Sequence, residues 1–404
     1  MITNHKLYNN FLGVKYLSSQ PKEKIMTTAT KKIQMVDLQG QYEKIKTEID
    51  AAIAGVLHSA AFINGPEVKA FQAELEKYLG VKHVIPCANG TDALQIAMMA
   101  LGLKHGDEVI TSNFTFVATA EVIGLLGLKP VLVDVYPGTY TLNIEAIEKA
   151  ITPKTKAIVP VHLFGQSAEM EELMTLAKKH NLFVIEDNAQ AIGADYKYAD
   201  GKVVKAGTIG HFGTTSFFPS KNLGGYGDGG ALFTNDDELA KKARSIANHG
   251  STVQYYHDDI GVNSRLDSIQ AAILRIKLRH LDEYCEARQK VAAYYDKAFA
   301  NHPKIKTPER SKHSTHVFHQ YTLVLNNTDR AKLREHLASK GIPAMIYYPV
   351  PLHLQKAYLD PRYKEGDFPV TEMLCASVLS LPIHTEMDEE TLKFITDSVL
   401  EFVK

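Results

Sequence analysis

The fold is decided by Leu182-Phe183-Val184-Ile185-Glu186-Asp187-Asn188-Ala189-Gln190. An apolar run of strand length stops abruptly on two acids. A strand that is apolar on both faces needs cover on both faces, as in a parallel sheet flanked by helices. Similar runs occur upstream at His83-Val84-Ile85-Pro86, Glu108-Val109-Ile110, Pro130-Val131-Leu132-Val133-Asp134 and Ala157-Ile158-Val159-Pro160-Val161. Segments with helical periodicity lie around and between them: Tyr42 to Leu57, Glu67 to Leu79, Thr91 to Leu101 and Met170 to Lys179. This alternation predicts an α/β fold with a mainly parallel sheet between helical layers.

Beyond the central region, a long amphipathic segment runs from Ser264 to Phe299. It is followed by a strand candidate (Gln320 to Leu325), a helix (Arg330 to Lys340) and a closing helix (Asp388 to Val403). The expected organisation is a large domain over 34–280 and a smaller α+β domain over 281–404. Residues 1–33 show no sustained period and read as a loose extension, with Met26 or Met35 as alternative starts.

Composition narrows the function. Lys plus Arg number 45 and Asp plus Glu 46, a formal net charge of −1 with no dense basic cluster. That lacks the electrostatic footprint of a nucleic-acid partner. The three cysteines, Cys87, Cys285 and Cys375, have no CxxC spacing, which argues against a disulfide framework or a zinc site. A reducing cytoplasm is the expected location. The longest apolar stretch, Val117 to Val135, is broken by Glu121, Lys129 and Pro130, so no membrane span is predicted. The N-terminus has no signal-peptide pattern.

Four pieces carry chemistry. Asp187 stands at the carboxyl end of a buried strand, where open α/β sheets bind ligands. A carboxylate there can hold the protonated ring nitrogen of pyridoxal phosphate (PLP); alone, such an acid is as readily a helix cap. Lys221 sits in Thr215-Ser216-Phe217-Phe218-Pro219-Ser220-Lys221, ahead of a loop with five glycines between 224 and 230. An apolar, tightly turned setting lowers a lysine pKa and frees the amine to attack an aldehyde. Cys87-Ala88-Asn89-Gly90-Thr91 leads a strand into a helix, whose N-terminus can take a phosphate with help from Ser216. Phe114 and Phe116 follow another strand, and either could stack on a flat ring. Lys221 follows Asp187 by 34 residues. Cup, aromatic, acid and lysine come in the order of a PLP site on a parallel sheet.

The strings GTDAL (90–94), EDNAQ (186–190), SFFPSKNLGGYGDGGA (216–231) and GVNSRLDSIQAAIL (261–274) resemble the DegT/DnrJ/StrS-type sugar aminotransferases. The resemblance runs from about Val36 to the C-terminus. It implies a fold-type I PLP enzyme, a homodimer with active sites at the interface, and nitrogen transfer from an amino acid to a nucleotide-linked keto sugar. It implies that Lys221 holds the cofactor covalently and that Asp187 meets the ring nitrogen. Gln190 would lie near the phenolic oxygen, and Gly90, Thr91 and Ser216 would form the phosphate cup. Phe116 would stack on the ring, with Phe114 as its rival, and Asn263 would reach the phosphate of the partner subunit.

Related proteins that dehydrate sugars carry histidine in place of the lysine, so Lys221 favours transamination. Within the family the resemblance is to enzymes of UDP-2-acetamido-2-deoxy-3-oxo-glucuronate. It is carried by CANGTDALQIA, FVATAE, SFFPSK, GVNSRLD and Tyr348-Pro349-Val350-Pro351-Leu352. It implies L-glutamate as donor, a role in surface-polysaccharide synthesis, and substrate contacts from Ser220, Arg265, Tyr347 and Tyr348. Arg265 would bind a carboxylate, or else make a structural ion pair. Two departures stand out: the run Asn188 to Ile192, where Cys-Ala-Gln-Ala-His is common, expected to bear on the sugar rather than the cofactor, and Tyr347, where histidine is common. The alternatives are a dTDP-linked 3-oxo or 4-oxo-6-deoxyhexose as acceptor and, in another class, a PLP-fold sensory protein.

Overall fold

The computed structural model describes residues 33–404. The expected extension over 1–33 therefore lies outside the described residues except for Ile33. Seven strands form the central sheet: β1 (His83–Cys87), β2 (Glu108–Ser112), β3 (Lys129–Val133), β4 (Thr155–Val159), β5 (Phe183–Asp187), β6 (Phe212–Ser216) and β7 (Gly230–Thr234). Their order is β1-β7-β6-β5-β4-β2-β3. Pairing is parallel from β3 to β6, and β7 alone runs against its neighbours. The sheet is thus mainly parallel, and the carboxyl ends of β1, β2, β5 and β6 share one edge.

The strand residues alternate between two cores, as the period of two requires. Val109, Val159 and Ile185 face one core with Ile96 and Met98. That core is roofed by α3 (Gly90–Ala100). Ile110, Ile158 and Val184 face the other with Leu173 and Leu176, from α6 (Met170–His180). Each apolar run is therefore buried on both sides.

A second, antiparallel sheet is built from Ile305–Lys306, Tyr321–Leu325 and Val378–Leu381. It has its own core, including Tyr295, Tyr321, Leu323, Leu337 and Ile395. Residues 33–404 nonetheless hold together as one compact unit. No helix among the described residues is long and apolar enough to cross a membrane.

The segment Ser264–Phe299 is not one helix. Helix α8 (Ser268–Arg279) and helix α9 (Leu281–Ala298) meet at His280. Residues before α8 are extended because their backbone is used elsewhere. Asn263 bridges Asn248, Asp267 bridges Ile63, and Ser268 N donates to Phe62 O at 2.9 Å.

Arg288 of α9 joins the two sheets' surroundings. It is 3% exposed, and its Nη1 donates to Phe318 O at 3.1 Å and Ile383 O at 2.9 Å. Burial pushes its guanidinium down to about 10. Removing such a group leaves buried carbonyls without a donor. Arg288→Ala should lower unfolding stability by about 3 kcal/mol in urea titrations; a change below about 1 kcal/mol would contradict this account.

Candidate active site

A cavity of about 800 Å³ opens at the carboxyl edge of the sheet, within the usual range for a small-molecule site. Asp187 ends β5 inside it. Its backbone extends the β4–β5 ladder, with Asp187 N donating to Pro160 O at 2.9 Å and His162 N to Asp187 O at 3.0 Å. Thr119 Oγ1 donates to Asp187 Oδ2 at 2.8 Å, and Ala189 N to Oδ1 at 3.2 Å. The neighbouring acid, Glu186, points to the other face. It accepts from His162 Nε2 at 2.8 Å and from the amides of Gly207, Ile209 and Gly210. Only Asp187 of the two acids lines the cavity.

Lys221 lines it from the turn after β6. The turn closes on itself: Lys221 N donates to Phe218 O at 2.9 Å, Gly225 N to Phe217 O at 2.8 Å, and Phe217 N to Gly229 O at 2.7 Å. A side chain at Gly224 would meet Pro219 O at 2.3 Å, so the fold-back requires glycine there. Burial pushes the Lys221 ammonium down to about 8, partly opposed by the charge of Asp187. Among the described residues no carboxylate stands within ion-pair distance of it. Lys277 is a second buried lysine, pushed down to about 7 by burial and by Arg288. It lies against the Tyr226 ring and does not line the cavity.

The proposed phosphate cup is assembled by α3 and β6. Asn89 caps the helix, accepting from Asp92 N at 2.8 Å. Gly90 and Thr91 open the helix on the cavity wall beside Ser216. First-turn amides have no intrahelical acceptor, so they suit an anion. A Cβ at Gly90 would stand 2.7 Å from Ser216 Cβ, so only glycine lets the strand end come this close.

Burial separates the two aromatic candidates. Phe116 is 55% exposed and lines the cavity, whereas Phe114 is 1% exposed and packs edge-on to Phe164. Gln190 Oε1 accepts from Phe164 N at 2.7 Å, and its Nε2 donates to Tyr348 Oη at 3.1 Å. Ser220, Tyr347 and Tyr348 also line the cavity.

Asn263 and Arg265 do not reach the cavity of their own chain. Ser264 between them turns inward, donating to Asp92 Oδ2 at 2.6 Å and accepting from Ala88 N at 3.0 Å. In an extended segment this puts Asn263 and Arg265 on the opposite side. The expectation that the departures at Asn188 and Ile192 bear on the sugar needs correcting. The buried Asn188 side chain donates to Ala206 O at 3.0 Å, Ile192 is buried in an apolar core, and neither is on the cavity wall.

Sequence reasoning missed Asp228, His319, Gln320 and Thr115, which also line the cavity. Thr115 Oγ1 and His319 Nδ1 are buried without a partner. Burial, with the charges of Lys221 and Arg288, pushes the His319 pKa well below its usual value, so the ring is neutral. Asp228 lies within the glycine-rich string 216–231, whereas no local sequence pattern marks the other three. The donor set fits PLP: first-turn amides and hydroxyls, a carboxylate, a desolvated amine and an exposed aromatic ring line the same cavity.

The comparisons agree. The model of the DegT/DnrJ/EryC1/StrS aminotransferase family matches residues 43–400. The chain is 48% identical to a pleiotropic regulatory protein of Geobacillus stearothermophilus, covering 92% of this chain and 99% of that one. It is 47% identical to the UDP-2-acetamido-2-deoxy-3-oxo-D-glucuronate aminotransferase of Pseudomonas aeruginosa, covering 90% and 98%. A UDP-N-acetyl-3-dehydro-alpha-D-glucosamine 3-aminotransferase of Acidithiobacillus ferrooxidans is 46% identical over 89% and 95%. Among solved structures, Streptomyces venezuelae DesV superposes with a TM-score of 0.88 at 40% identity, covering 93% and 99%. Bacillus subtilis NtdA, solved with bound pyridoxamine phosphate (PMP), gives 0.82 at 32%, covering 89% and 82%. Fold, cavity and relatives converge: the chain belongs to the DegT/DnrJ/EryC1/StrS family of PLP-dependent aminotransferases.

Proposed function

We propose that this enzyme moves an amino group from L-glutamate to the 3-keto carbon of a UDP-linked 2-acetamido-hexuronate, in sites shared by two copies of the chain. The observation that carries the reading is Lys221, a desolvated amine in the same cavity as Asp187. A protein that only bound a ligand would have no use for an amine so readily neutral. Two of the relatives act on UDP-linked, N-acetylated 3-keto sugars, which supports the acceptor. The free buried thiols support a cytoplasmic location.

When bound, PLP supplies an electron sink for cleavage of the bond to the amine-bearing carbon's hydrogen. Asp187 would hold the ring nitrogen, and Gly90, Thr91 and Ser216 the phosphate. Phe116 would cover the ring, and Gln190, its amide fixed by Phe164 and Tyr348, would lie beside the phenolic oxygen. Lys221 Nζ would hold the cofactor at rest and, once free, move a proton between the substrate carbon and the cofactor's C4′ in each half-reaction. With a pKa of about 8, its neutral fraction at pH 7 is about one-tenth, against less than about one in a thousand for an ordinary lysine.

Charge supports the second copy. Among the described residues, the cavity wall holds Asp92, Asp187 and Asp228 but only one Lys or Arg side chain, Lys221. Phosphates and two carboxylates need more positive charge than that. Arg265, turned away from its own cavity, could bring a guanidinium suited to a carboxylate into the partner's site. The apolar residues Phe62, Ile63, Tyr255, Tyr256 and Ile260 are exposed, and burial between copies would account for them.

The rate at which apoprotein captures PLP should rise with pH through a midpoint near 8, followed by absorbance; a midpoint near 10.5 would mean that Lys221 is not desolvated. Arg265→Ala should lower kcat/KM for the uronate sugar by about tenfold to a thousandfold. It should leave the bound-cofactor spectrum intact. A wild-type preference for a neutral 6-hydroxy sugar would overturn the uronate reading, and a preference for a 6-deoxy sugar would replace it with the deoxyhexose one. Mixed with inactive Lys221→Ala under subunit exchange, Arg265→Ala should regain roughly a quarter of wild-type activity. No recovery would rule out a shared site.

A further inference from the structure

We propose that Thr119 is a positioning residue for the reaction: its hydroxyl fixes the rotation of the Asp187 carboxylate that meets the cofactor's ring nitrogen. The inference rests on the PLP reading of the site. Thr119 belongs to α4 (Ala118–Leu125), the helix entered directly after Phe116. It is 1% exposed, so its hydroxyl has no water to turn to. Thr119 is the second residue of that helix, so no earlier helical turn offers its hydroxyl a carbonyl, and the bond crosses to another element, with Thr119 Oγ1 donating to Asp187 Oδ2 at 2.8 Å.

The second oxygen is held independently, by Ala189 N at 3.2 Å. A carboxylate pinned at one oxygen can still swing about its Cβ–Cγ bond. Pinned at both, it has one plane. About four acceptor positions exist on a carboxylate, and these two donors occupy one on each oxygen. The rest are left for the cavity, which Asp187 lines. Phe116 and Thr119 are three residues apart, so one short segment carries both the cavity's exposed aromatic face and the lock on its carboxylate. Ala189 N is part of the loop that carries Asp187, so the Thr119 bond is the one that ties the carboxylate to a different element.

The test compares two cofactors on the same apoprotein: PLP and its 1-deaza analogue, in which carbon replaces the ring nitrogen. Dissociation constants are read by fluorescence titration for wild type, Thr119→Val and Thr119→Ser. The proposal expects Thr119→Val to weaken PLP by about tenfold. It expects less than about a twofold change for the deaza analogue, and Thr119→Ser to recover most of the PLP affinity. Equal losses for both cofactors, including those of a variant that folds poorly, would reduce Thr119 to a structural role and overturn the proposal, as would no loss at all. A wild-type protein that bound neither cofactor would fail the PLP reading itself, and one that bound both equally would show that Asp187 does not engage the ring nitrogen.

Discussion

The site depends on keeping an amine uncharged close to a buried carboxylate. Burial drives the Lys221 pKa down while the charge of Asp187 draws it up, and burial wins. Closing the two into an ion pair would hold the amine protonated and useless as a nucleophile. The fold keeps them apart by anchoring each on its own strand end. Asp187 is fixed by the β4–β5 ladder and by two donors. Lys221 is fixed by a turn that closes on its own backbone. The antiparallel insertion of β7 beside β6 forces that turn, because the chain must reverse at the carboxyl edge.

The main architecture was legible because its strands are apolar on both faces. Val184 and Ile185 enter opposite cores, and no other arrangement buries both. The Lys221 turn was legible through its glycines, since crowding leaves no room for a side chain at Gly224. Strand β6 was harder to read. Phe212-Gly213-Thr214-Thr215-Ser216 is largely polar, yet it lies mid-sheet. Thr214 Oγ1 spends its hydrogen bond on Glu186 O at 3.1 Å, and a Cβ at Gly213 would meet Gly207 O at 1.8 Å. Periodicity detects apolar burial and is blind to polar groups satisfied by distant backbone.

The same limit explains the missed residues and where the helices of the amphipathic segment begin. Ser264–Asp267 is extended because strand-like bridges to distant chain outcompete helical hydrogen bonds there, which no local propensity reveals. His319 and Gln320 enter the cavity only through tertiary packing. Phe114 and Phe116, two residues apart, were equivalent by composition. Their separation needed the buried cluster of Phe114, Tyr140 and Phe164 to claim the first ring. Spacing did carry information at Asn263 and Arg265, since residues two apart in an extended segment share a side.

Among the described residues, two lysines have strongly lowered pKa values, Lys221 and Lys277, and of these the first faces the cavity. That contrast allows the most direct test of the central claim. Protein saturated with PLP is reduced with borohydride, digested, and its peptides are mapped by mass. The account requires the fixed pyridoxyl group on Lys221, in near one-to-one yield. A label on Lys277 or spread over surface lysines, or no label at all, would contradict it.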